Sequence, residues 1–408
     1  MFNKFVKFVA IELISLFFIF GVFFVLIPLG RAGDAWTIEI SDKAVESTIL
    51  PSSEMTARVY LPLIFRDYGP RSSRLGYCAT DGPITRYSDI RRLAAGWYVN
   101  FGVQRNPARP LGLEYVQTIR LHQLTTCWPQ RTRNRDACPY TTPYTYTLTS
   151  PGTREEIVAI AQANPGSLWL IGNEMDRYDW DGGGQDEMLP EVYAVAYHEL
   201  YYLIKDADPT AKVAIGGVIQ ATPARLWYLS TVWDTYRSRY GTDMPVDVWN
   251  VHNFIFKERC DDYGADVPPG YPSCYGTVYN DNDHDNLEIF KQQIRAFRQW
   301  MKDRGQQNKP LIVSEYGIVY YHIDRLNSWD AVRNFMLATF DYFMNEKDCN
   351  LGYPADNCRL VQRWAWYSLD DSRGIYNDYA YLFHQTTLQI TPLGEAFAAY
   401  AQNHLDTR

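Results

Sequence analysis

Two short segments, LWLIGNEMDR (168–177) and PLIVSEYGIV (310–319), decide the fold class of this chain. Each begins as a compact apolar run, which is typical of a strand buried on both faces of a parallel sheet. Each then delivers one glutamate at its carboxyl end, Glu174 and Glu315. In a parallel β/α barrel the carboxyl ends of the strands form the active-site face, so both acids are expected to converge there. A strand-end glutamate can also cap a helix or pair with an arginine such as Arg120, and that interpretation stays open.

Apolar runs of the same kind recur along the chain with the spacing of barrel strands. The eight candidates are RLGYCAT (74–80), WYVNFGV (97–103), YVQTIRLHQ (115–123), SLWLIGNE (167–174), KVAIGGVIQ (212–220), VDVWNVHNF (246–254), PLIVSEYG (310–317) and VQRWAWYSL (361–369). Helical patterns separate most of them, with start signals such as the capping-box spacing of Thr153 and Glu156 and the pair Thr222-Pro223. Residues 104–114 are too few for a full helix, so the second helix is predicted to be short or missing. The alternation predicts a (β/α)8 TIM barrel, with a doubly wound sheet as the weaker alternative because no Gly-rich phosphate turn follows the first strand.

Composition and net charge indicate which class of ligand the protein binds. The 408 residues carry a formal net charge of −8, which argues against nucleic acid because phosphate binding needs a basic face. The 12 Trp and 31 Tyr suit a barrel core and also a cleft in which flat rings stack on sugars.

The N-terminal sequence indicates a membrane-spanning segment. Lys4 and Lys7 precede LISLFFIFGVFFVLIPLG (13–30), an apolar stretch long enough to cross a bilayer. Residues 1–30 are therefore predicted to be an uncleaved signal anchor, although Gly30-Arg31-Ala32 offers a mediocre cleavage site. The lysines place the start of the segment in the cytoplasm, so the protein is expected at the cell membrane as a single-pass protein with its barrel on the extracytoplasmic side.

The remaining chain divides into two predicted parts. Residues 31–73 contain Pro51, Pro62 and Pro70 and are interpreted as a linker and barrel-packing segment, with a short strand conceivable at VYLPLIF (59–65). Residues 74–408 make the barrel.

Six of the seven cysteines form sequence-local pairs that bracket loops. We expect disulfides between Cys127 and Cys138, Cys260 and Cys274, and Cys349 and Cys358, which agrees with export to an oxidising compartment. Metal binding is the rival explanation, but no Cys-x-x-Cys spacing exists. Cys78 is left over and is interpreted as a buried, inert thiol.

Two polar segments are weaker candidates. NDNDHDN (280–286) alternates acids as a calcium loop does, but it lacks the glycine and closing glutamate of an EF-hand, so a solvated helix-capping loop is the better interpretation. DWDGGGQD (179–186) is interpreted as a flexible glycine loop that could also line a cleft or bind calcium. No metal site and no cofactor are predicted.

The fourth strand ending in Asn173-Glu174 and the seventh ending in Glu315 resemble the retaining glycosidases of clan A, which are (β/α)8 glycoside hydrolases. The resemblance extends from about Arg74 to the closing TPLGEAFAAY (391–400). It implies that Glu174 is the general acid/base, that Glu315 is the nucleophile, and that Asn173 holds the sugar 2-hydroxyl.

Four further residues are candidate substrate contacts. The resemblance assigns His252 to the position that hydrogen-bonds the nucleophile and Trp366 to the aromatic floor of the subsite beside the scissile bond. Arg120 could substitute for the arginine that is missing near the second strand, and Tyr316 directly follows the predicted nucleophile. Met175 stands where many members carry proline, which leaves the subfamily and substrate open.

Two functions from different classes follow. The first is a membrane-anchored glycoside hydrolase, or transglycosidase, that acts on a poly- or oligosaccharide by a two-glutamate mechanism. The second is a glycosidase-like accessory subunit, active or inactive, whose anchor docks it onto a larger membrane protein complex. For the first, Glu315 is expected to be ionised and Glu174 protonated.

Overall fold

The computed structural model describes residues 35–41, 44–50, 57–61, 71–180, 182–260 and 262–406. The chain divides into two compact units, Met1–Phe65 and Arg66–Arg408.

The first unit contains a small antiparallel sheet. Its strands β1 (Ala35–Ser41), β2 (Ala44–Leu50) and β3 (Ala57–Leu61) pair in the order β1-β2-β3. The sequence analysis interpreted this segment as a linker with at most one short strand near its end. Strands β1 and β2 were not predicted because their apolar and polar residues alternate, whereas the barrel strands are continuous apolar runs.

The predicted anchor, residues 1–30, lies outside the described residues. Among the residues that are described, no helix combines the length and the apolar character that crossing a bilayer requires.

The second unit is a parallel barrel. Its strands are β4 (Ser72–Cys78), β5 (Ala95–Val99), β6 (Glu114–Gln123), β8 (Leu168–Ile171), β9 (Lys212–Ile215), β10 (Trp249–His252), β11 (Leu311–Tyr316) and β12 (Arg363–Trp366). Hydrogen bonds join them in the order β10-β11-β12-β4-β5-β6-β8-β9, and every one of these pairings is parallel. Parallel bridges Ala214–Val248 and Val218–Val251 connect β9 to β10 and close the ring. All eight predicted strands are confirmed, and with them the TIM-barrel class.

One strand of the second unit was not predicted. Strand β7 (Tyr146–Ser150) pairs antiparallel with the far end of β6 and forms a flap at the active-site side of the barrel.

The helices follow the strands from β6 onward. They are α1 (Arg154–Ala163), α2 (Pro190–Ala207), α3 (Pro223–Tyr240), α4 (Leu287–Asp303), α5 (Trp329–Asn345) and α6 (Pro392–Asn403). Thr153 caps α1 by accepting the Glu156 N–H at 3.2 Å, as its spacing predicts. Between β4 and β6 the described chain has only short 3-10 turns, Ile84–Arg86, Ile90–Leu93 and Pro110–Gly112, so the expected loss of the second helix is confirmed and the first is lost too.

The barrel strands bury both of their faces, and alternate residues enter different cores. Residues such as Trp97, Leu170 and Ala365 belong to the smaller cluster, whereas their neighbours Tyr98, Trp169 and Trp366 belong to the larger cluster with the helices. This alternation decides which strand residues can reach the mouth of the barrel.

Disulfides join all three predicted cysteine pairs, and Cys78 is a buried free thiol. Such bridges are characteristic of proteins exposed to an oxidising, extracellular compartment.

Candidate active site

The two glutamates come together at the carboxyl ends of their strands. Glu315 lies within β11, and Glu174 lies three residues beyond the end of β8. One carboxylate oxygen from each, with a ring nitrogen of His252 from β10, lie within 4.8 Å of one another. All three side chains are buried.

The backbone at Glu174 adopts an uncommon conformation that aims the side chain into the cleft. Its φ angle is +51°, in the left-handed region that non-glycine residues rarely occupy. The Glu174 N–H donates to the carbonyl of Gly217 at 3.0 Å, which fixes the turn against the loop after β9. Such a conformation persists only where its surroundings over-determine it, and it is frequent at functional sites.

Gly217 also allows His252 to approach. A Cβ atom at Gly217 would overlap the imidazole ring, so only glycine leaves room for it there. The His252 Nδ1 lies 3.2 Å from Glu174 Oε1 and 3.7 Å from Glu315 Oε2. His252 therefore lies between the two acids, nearer to the predicted acid/base than to the predicted nucleophile.

Glu174 has two further donors. Arg177 Nη1 donates to Glu174 Oε2 at 2.8 Å, and Gln185 Nε2 donates to the same oxygen at 3.2 Å. The other end of the Arg177 guanidinium donates to the carbonyl of Gly264 at 2.9 Å. Gly264 belongs to the loop that Cys260–Cys274 closes, so this disulfide stiffens an anchor of the site.

The environments of the two acids push their pKa values apart. Burial alone would raise the pKa of Glu174, but the Arg177 charge and the hydrogen bonds from His252 and Arg177 outweigh it and lower the pKa below its usual range. Burial raises the pKa of Glu315, the His252 charge opposes this, and the Glu174 charge adds to it. This order of pKa values is the reverse of the one expected for an ionised Glu315 and a protonated Glu174, because the cation beside Glu174 was not foreseen.

Asn173 and Arg120 are positioned by one buried aspartate. Arg120 Nε donates to both carboxylate oxygens of Asp186 at 3.0 Å, and the Asn173 N–H donates to Asp186 Oδ2 at 2.8 Å. Burial raises the pKa of Asp186 to about 6 although the Arg120 charge opposes it. Both Asn173 and Arg120 line the cleft.

The loop that follows Glu174 is tied to a second disulfide loop. Glu187 accepts from Arg135 at 2.7 and 2.8 Å and from the Tyr140 hydroxyl at 2.6 Å. Arg135 lies inside the Cys127–Cys138 loop, and Tyr140 lies two residues beyond it. The loop closed by the Cys127–Cys138 disulfide therefore supports the segment 172–189 from outside the barrel.

The acids open into a cleft of about 1490 Å³. Aromatic side chains line much of it, including Trp180, Phe254, Tyr263, Tyr320, Tyr367 and Tyr376. Gly183, Gly184 and Gln185 line it as well, so the glycine loop forms one wall. A cleft of this size exceeds the usual range for small-molecule sites, roughly 300–1000 Å³.

Two predicted substrate contacts are in the wrong place. Trp366 is completely buried, donates to the carbonyl of Ala380 at 2.8 Å, and packs on Phe340. Tyr316 is completely buried and its hydroxyl lies 3.1 Å from that of Thr339 in α5. Both belong to the cluster between strands and helices, so neither can touch a ligand in the cleft.

The residue next to Trp366 faces the cleft instead. Tyr367 belongs to the smaller cluster, lines the cleft, and donates to Asp371 at 2.6 Å. The error is one residue, and along a strand one residue reverses the face.

Sequence reasoning missed three cleft residues that bear on the acids, namely Arg177, Gln185 and Arg373. A signal existed for Arg177, which follows Glu174 by three residues in NEMDR. Arg373 pairs with Asp371 at 2.5 Å, and its charge acts against the raised pKa of Glu315. Asp371 and Arg373 are only two residues apart, but nothing in the sequence indicates that this segment lies beside Glu315.

The spacing of Glu174, His252 and Glu315 would also suit a metal ion. The Arg177 guanidinium already occupies Glu174 Oε2, and its positive charge opposes a cation at that point. The donor set therefore fits proton chemistry better than metal chemistry.

Comparisons with known proteins give structural matches only. No protein-family model matches the chain, and no curated protein matches it. Among solved structures, a glucosidase from Croceicoccus marinus is 14% identical with a TM-score of 0.47, over 82% of this chain and 68% of that one. A GH5_18 protein from Streptomyces cattleya in complex with GlcNAc is 14% identical with a TM-score of 0.44, over 81% and 80%. A β-glucuronidase from Parabacteroides merdae is 10% identical with a TM-score of 0.41, over 88% of this chain and 42% of that one.

Proposed function

We propose that this protein is a retaining glycoside hydrolase that acts on a poly- or oligosaccharide. The observation that carries the proposal is the approach of two carboxylates from different strands, within 4.8 Å, at the floor of an open aromatic cleft. Retaining enzymes hold their two carboxyl groups roughly 5–5.5 Å apart, whereas inverting enzymes need roughly 6.5–9.5 Å to admit a water. The spacing here supports the retaining class.

The roles follow the clan A resemblance. Glu315 attacks the anomeric carbon while the glycosidic C–O bond breaks, and Glu174 gives its proton to the leaving oxygen. Water then attacks the glycosyl-enzyme ester, Glu174 takes the proton from that water, and Glu315 leaves as a carboxylate. Asn173 and Arg120 at the cleft wall are positioned to bind sugar hydroxyls, and His252 orients both carboxylates.

Location is part of the proposal. The three disulfides support an extracytoplasmic site of action, and the apolar stretch 13–30 supports retention at the membrane through the N-terminal segment.

One observation favours the second candidate, an inactive barrel that serves as an accessory subunit. Glu174 is ion-paired with Arg177 in the free protein, and an acid that is held ionised cannot protonate a leaving group. That candidate predicts that the protein binds glycans without cleaving them.

The test is turnover by the full chain, extracted in detergent, on a panel of aryl glycosides and polysaccharides. Glu315→Gln should abolish turnover. Glu174→Ala should spare substrates with activated leaving groups, and azide should restore part of its rate because this anion attacks the glycosyl-enzyme directly and needs no general base to deprotonate it. Glu288→Gln, an exposed helix glutamate paired with Lys291, is the matched control and should behave as wild type.

Hydrolysis that survives Glu315→Gln unchanged contradicts the assignment. Glycan binding without hydrolysis on any member of the panel selects the accessory subunit.

A further inference from the structure

Arg177 is a buried cation that the two-carboxylate reaction does not use. It spans Glu174 Oε2 at 2.8 Å and the Gly264 carbonyl at 2.9 Å, and its guanidinium lies 5.6 Å from the centre of the Trp180 ring. It also lines the cleft. A charged side chain held this firmly beside one acid and not the other makes the pair asymmetric.

The hydrogen bonds show the same asymmetry. Glu174 accepts from three donors, on Arg177, Gln185 and His252. Within residues 71–406 as described, the Glu315 carboxylate has an ionic contact with His252 at 3.7 Å and no hydrogen bond from a side chain. Two buried carboxylates this close cannot both be ionised at neutral pH, and the one with more donors keeps the charge.

We propose that Arg177 is a positioning residue that holds Glu174 ionised in the free protein, so that the proton shared by the pair rests on Glu315. The consequence for turnover rests on the proposed function, whereas the location of the proton does not.

The other charged groups around the pair do not reverse this order. Glu174 and Glu315 face each other, His252, Asp176 on the loop after β8, Cys78 at the end of β4, and Tyr367, Arg373 and Tyr376 on the segment after β12. The Arg373 charge lowers the pKa of Glu315, but its effect is smaller than those of burial, His252 and Glu174. The pKa of Glu315 therefore stays raised. Arg120 lies beyond, and its principal partner is Asp186.

The arrangement has a kinetic consequence. With Glu174 as the acid, the productive form carries the proton on Glu174, which is the minor form of the singly protonated pair while Arg177 is in place. Removal of the charge at Arg177 should therefore raise kcat on substrates with poor leaving groups relative to activated ones, because only the former need a proton from Glu174.

Infrared difference spectroscopy of the full chain locates the proton without turnover. A protonated carboxyl has a C=O stretch that a carboxylate lacks. At pH 6, this band should be weaker in Glu315→Gln than in wild type. In the Glu315→Gln background, Arg177→Met should raise the pH midpoint for protonation of Glu174 by roughly 1–3 units, the usual effect of an adjacent opposite charge. Arg177→Lys retains the charge and should keep the midpoint low.

Two results would overturn the proposal. One is a carboxyl band that is unchanged in Glu315→Gln, which would place the proton on Glu174. The other is a Glu174 midpoint that is the same with methionine and with lysine at position 177. Because the experiment measures protonation and not turnover, either result would count even if the protein cleaves no glycoside. A lack of hydrolysis would therefore not contradict this proposal.

Discussion

Replacement of Arg225 by methionine should destabilise the barrel more than most single changes. Arg225 is completely buried at the start of α3, where Nε lies 2.9 Å from Glu258 and Nη1 lies 3.2 Å from Asp176, both also buried. The same guanidinium donates to the carbonyls of Asp176, Ala265 and Asp266. It therefore joins the loop that carries Glu174 to the loop that anchors Arg177.

The magnitude follows from what the variant leaves behind. Methionine matches much of the arginine volume, so the packing loss is small, but two buried carboxylates lose their cation. Breaking a buried ion pair by removing one partner costs about 3–5 kcal/mol, and we expect a loss of that size in the free energy of unfolding at pH 7.5.

The loss should depend on pH in a defined direction. Burial raises the pKa of Asp176 to about 6 although the Arg225 charge opposes it, and the variant removes that opposition. A carboxyl whose pKa is raised by folding carries no penalty below its unfolded value, about 3.9, and a growing one as pH rises through the folded value. The deficit at pH 7.5 should therefore exceed the deficit at pH 5.

Urea unfolding of wild type and variant at both pH values measures this. Arg237→Met is the control, because its partner Asp243 and Arg237 itself are about 60% exposed, and it should change stability by no more than about 0.5 kcal/mol. A deficit for Arg225→Met below about 1 kcal/mol, or one that is larger at pH 5 than at pH 7.5, would refute the reasoning.

Three further changes test other parts of the site and fold. Glu315→Gln should be more stable than wild type at pH 8 but not at pH 4. Burial raises the pKa of Glu315, and the cost of ionising this carboxyl in the folded protein, about 1.4 kcal/mol per pKa unit, appears as pH rises through the raised pKa. Urea unfolding at the two pH values measures the difference in stability, and an equal difference at both would contradict the prediction. Gly217→Ala should lower kcat/KM at least about tenfold and cost about 1–3 kcal/mol because its Cβ overlaps the imidazole beside it, whereas Gly152→Ala, where a Cβ meets nothing within 4 Å, should do neither. Replacement of both Cys349 and Cys358 by serine should lower the free energy of unfolding by about 2–4 kcal/mol, the usual contribution of a disulfide, and an unchanged denaturation midpoint would contradict that.

The barrel could be predicted from the sequence because each strand is buried on both faces. Continuous apolar runs such as LWLI in β8 and LIV in β11 are too short for a buried helix and fit a strand buried on both faces. The Thr153 cap and Pro223 in the first turn of α3 mark helix starts through local chemistry alone, and the cysteine pairs are close in sequence, so neither signal needed knowledge of the tertiary fold.

The face of each strand could not be predicted in the same way. A strand apolar on both sides gives no period-2 signal to show which residues point inward. Trp366 and Tyr367 are both large aromatics, and only the register of β12 shows that the second one reaches the cleft. The same ambiguity placed Tyr316 in the site.

Which of the two glutamates has the lower pKa could not be predicted from the sequence either. It depends on Arg177 turning back onto Glu174, which requires the left-handed turn at Glu174 and the Gly264 carbonyl from another loop. Loop conformations of this kind are set by tertiary contacts and not by local propensity.

The stereochemistry of cleavage tests the central claim most directly. Proton NMR of the first product formed from a glycoside that the full chain hydrolyses reports the configuration at its anomeric carbon before mutarotation. The account predicts retention, because carboxylate oxygens within 4.8 Å of each other leave no room for a water between Glu315 and the anomeric carbon. A first product with inverted configuration would contradict the account.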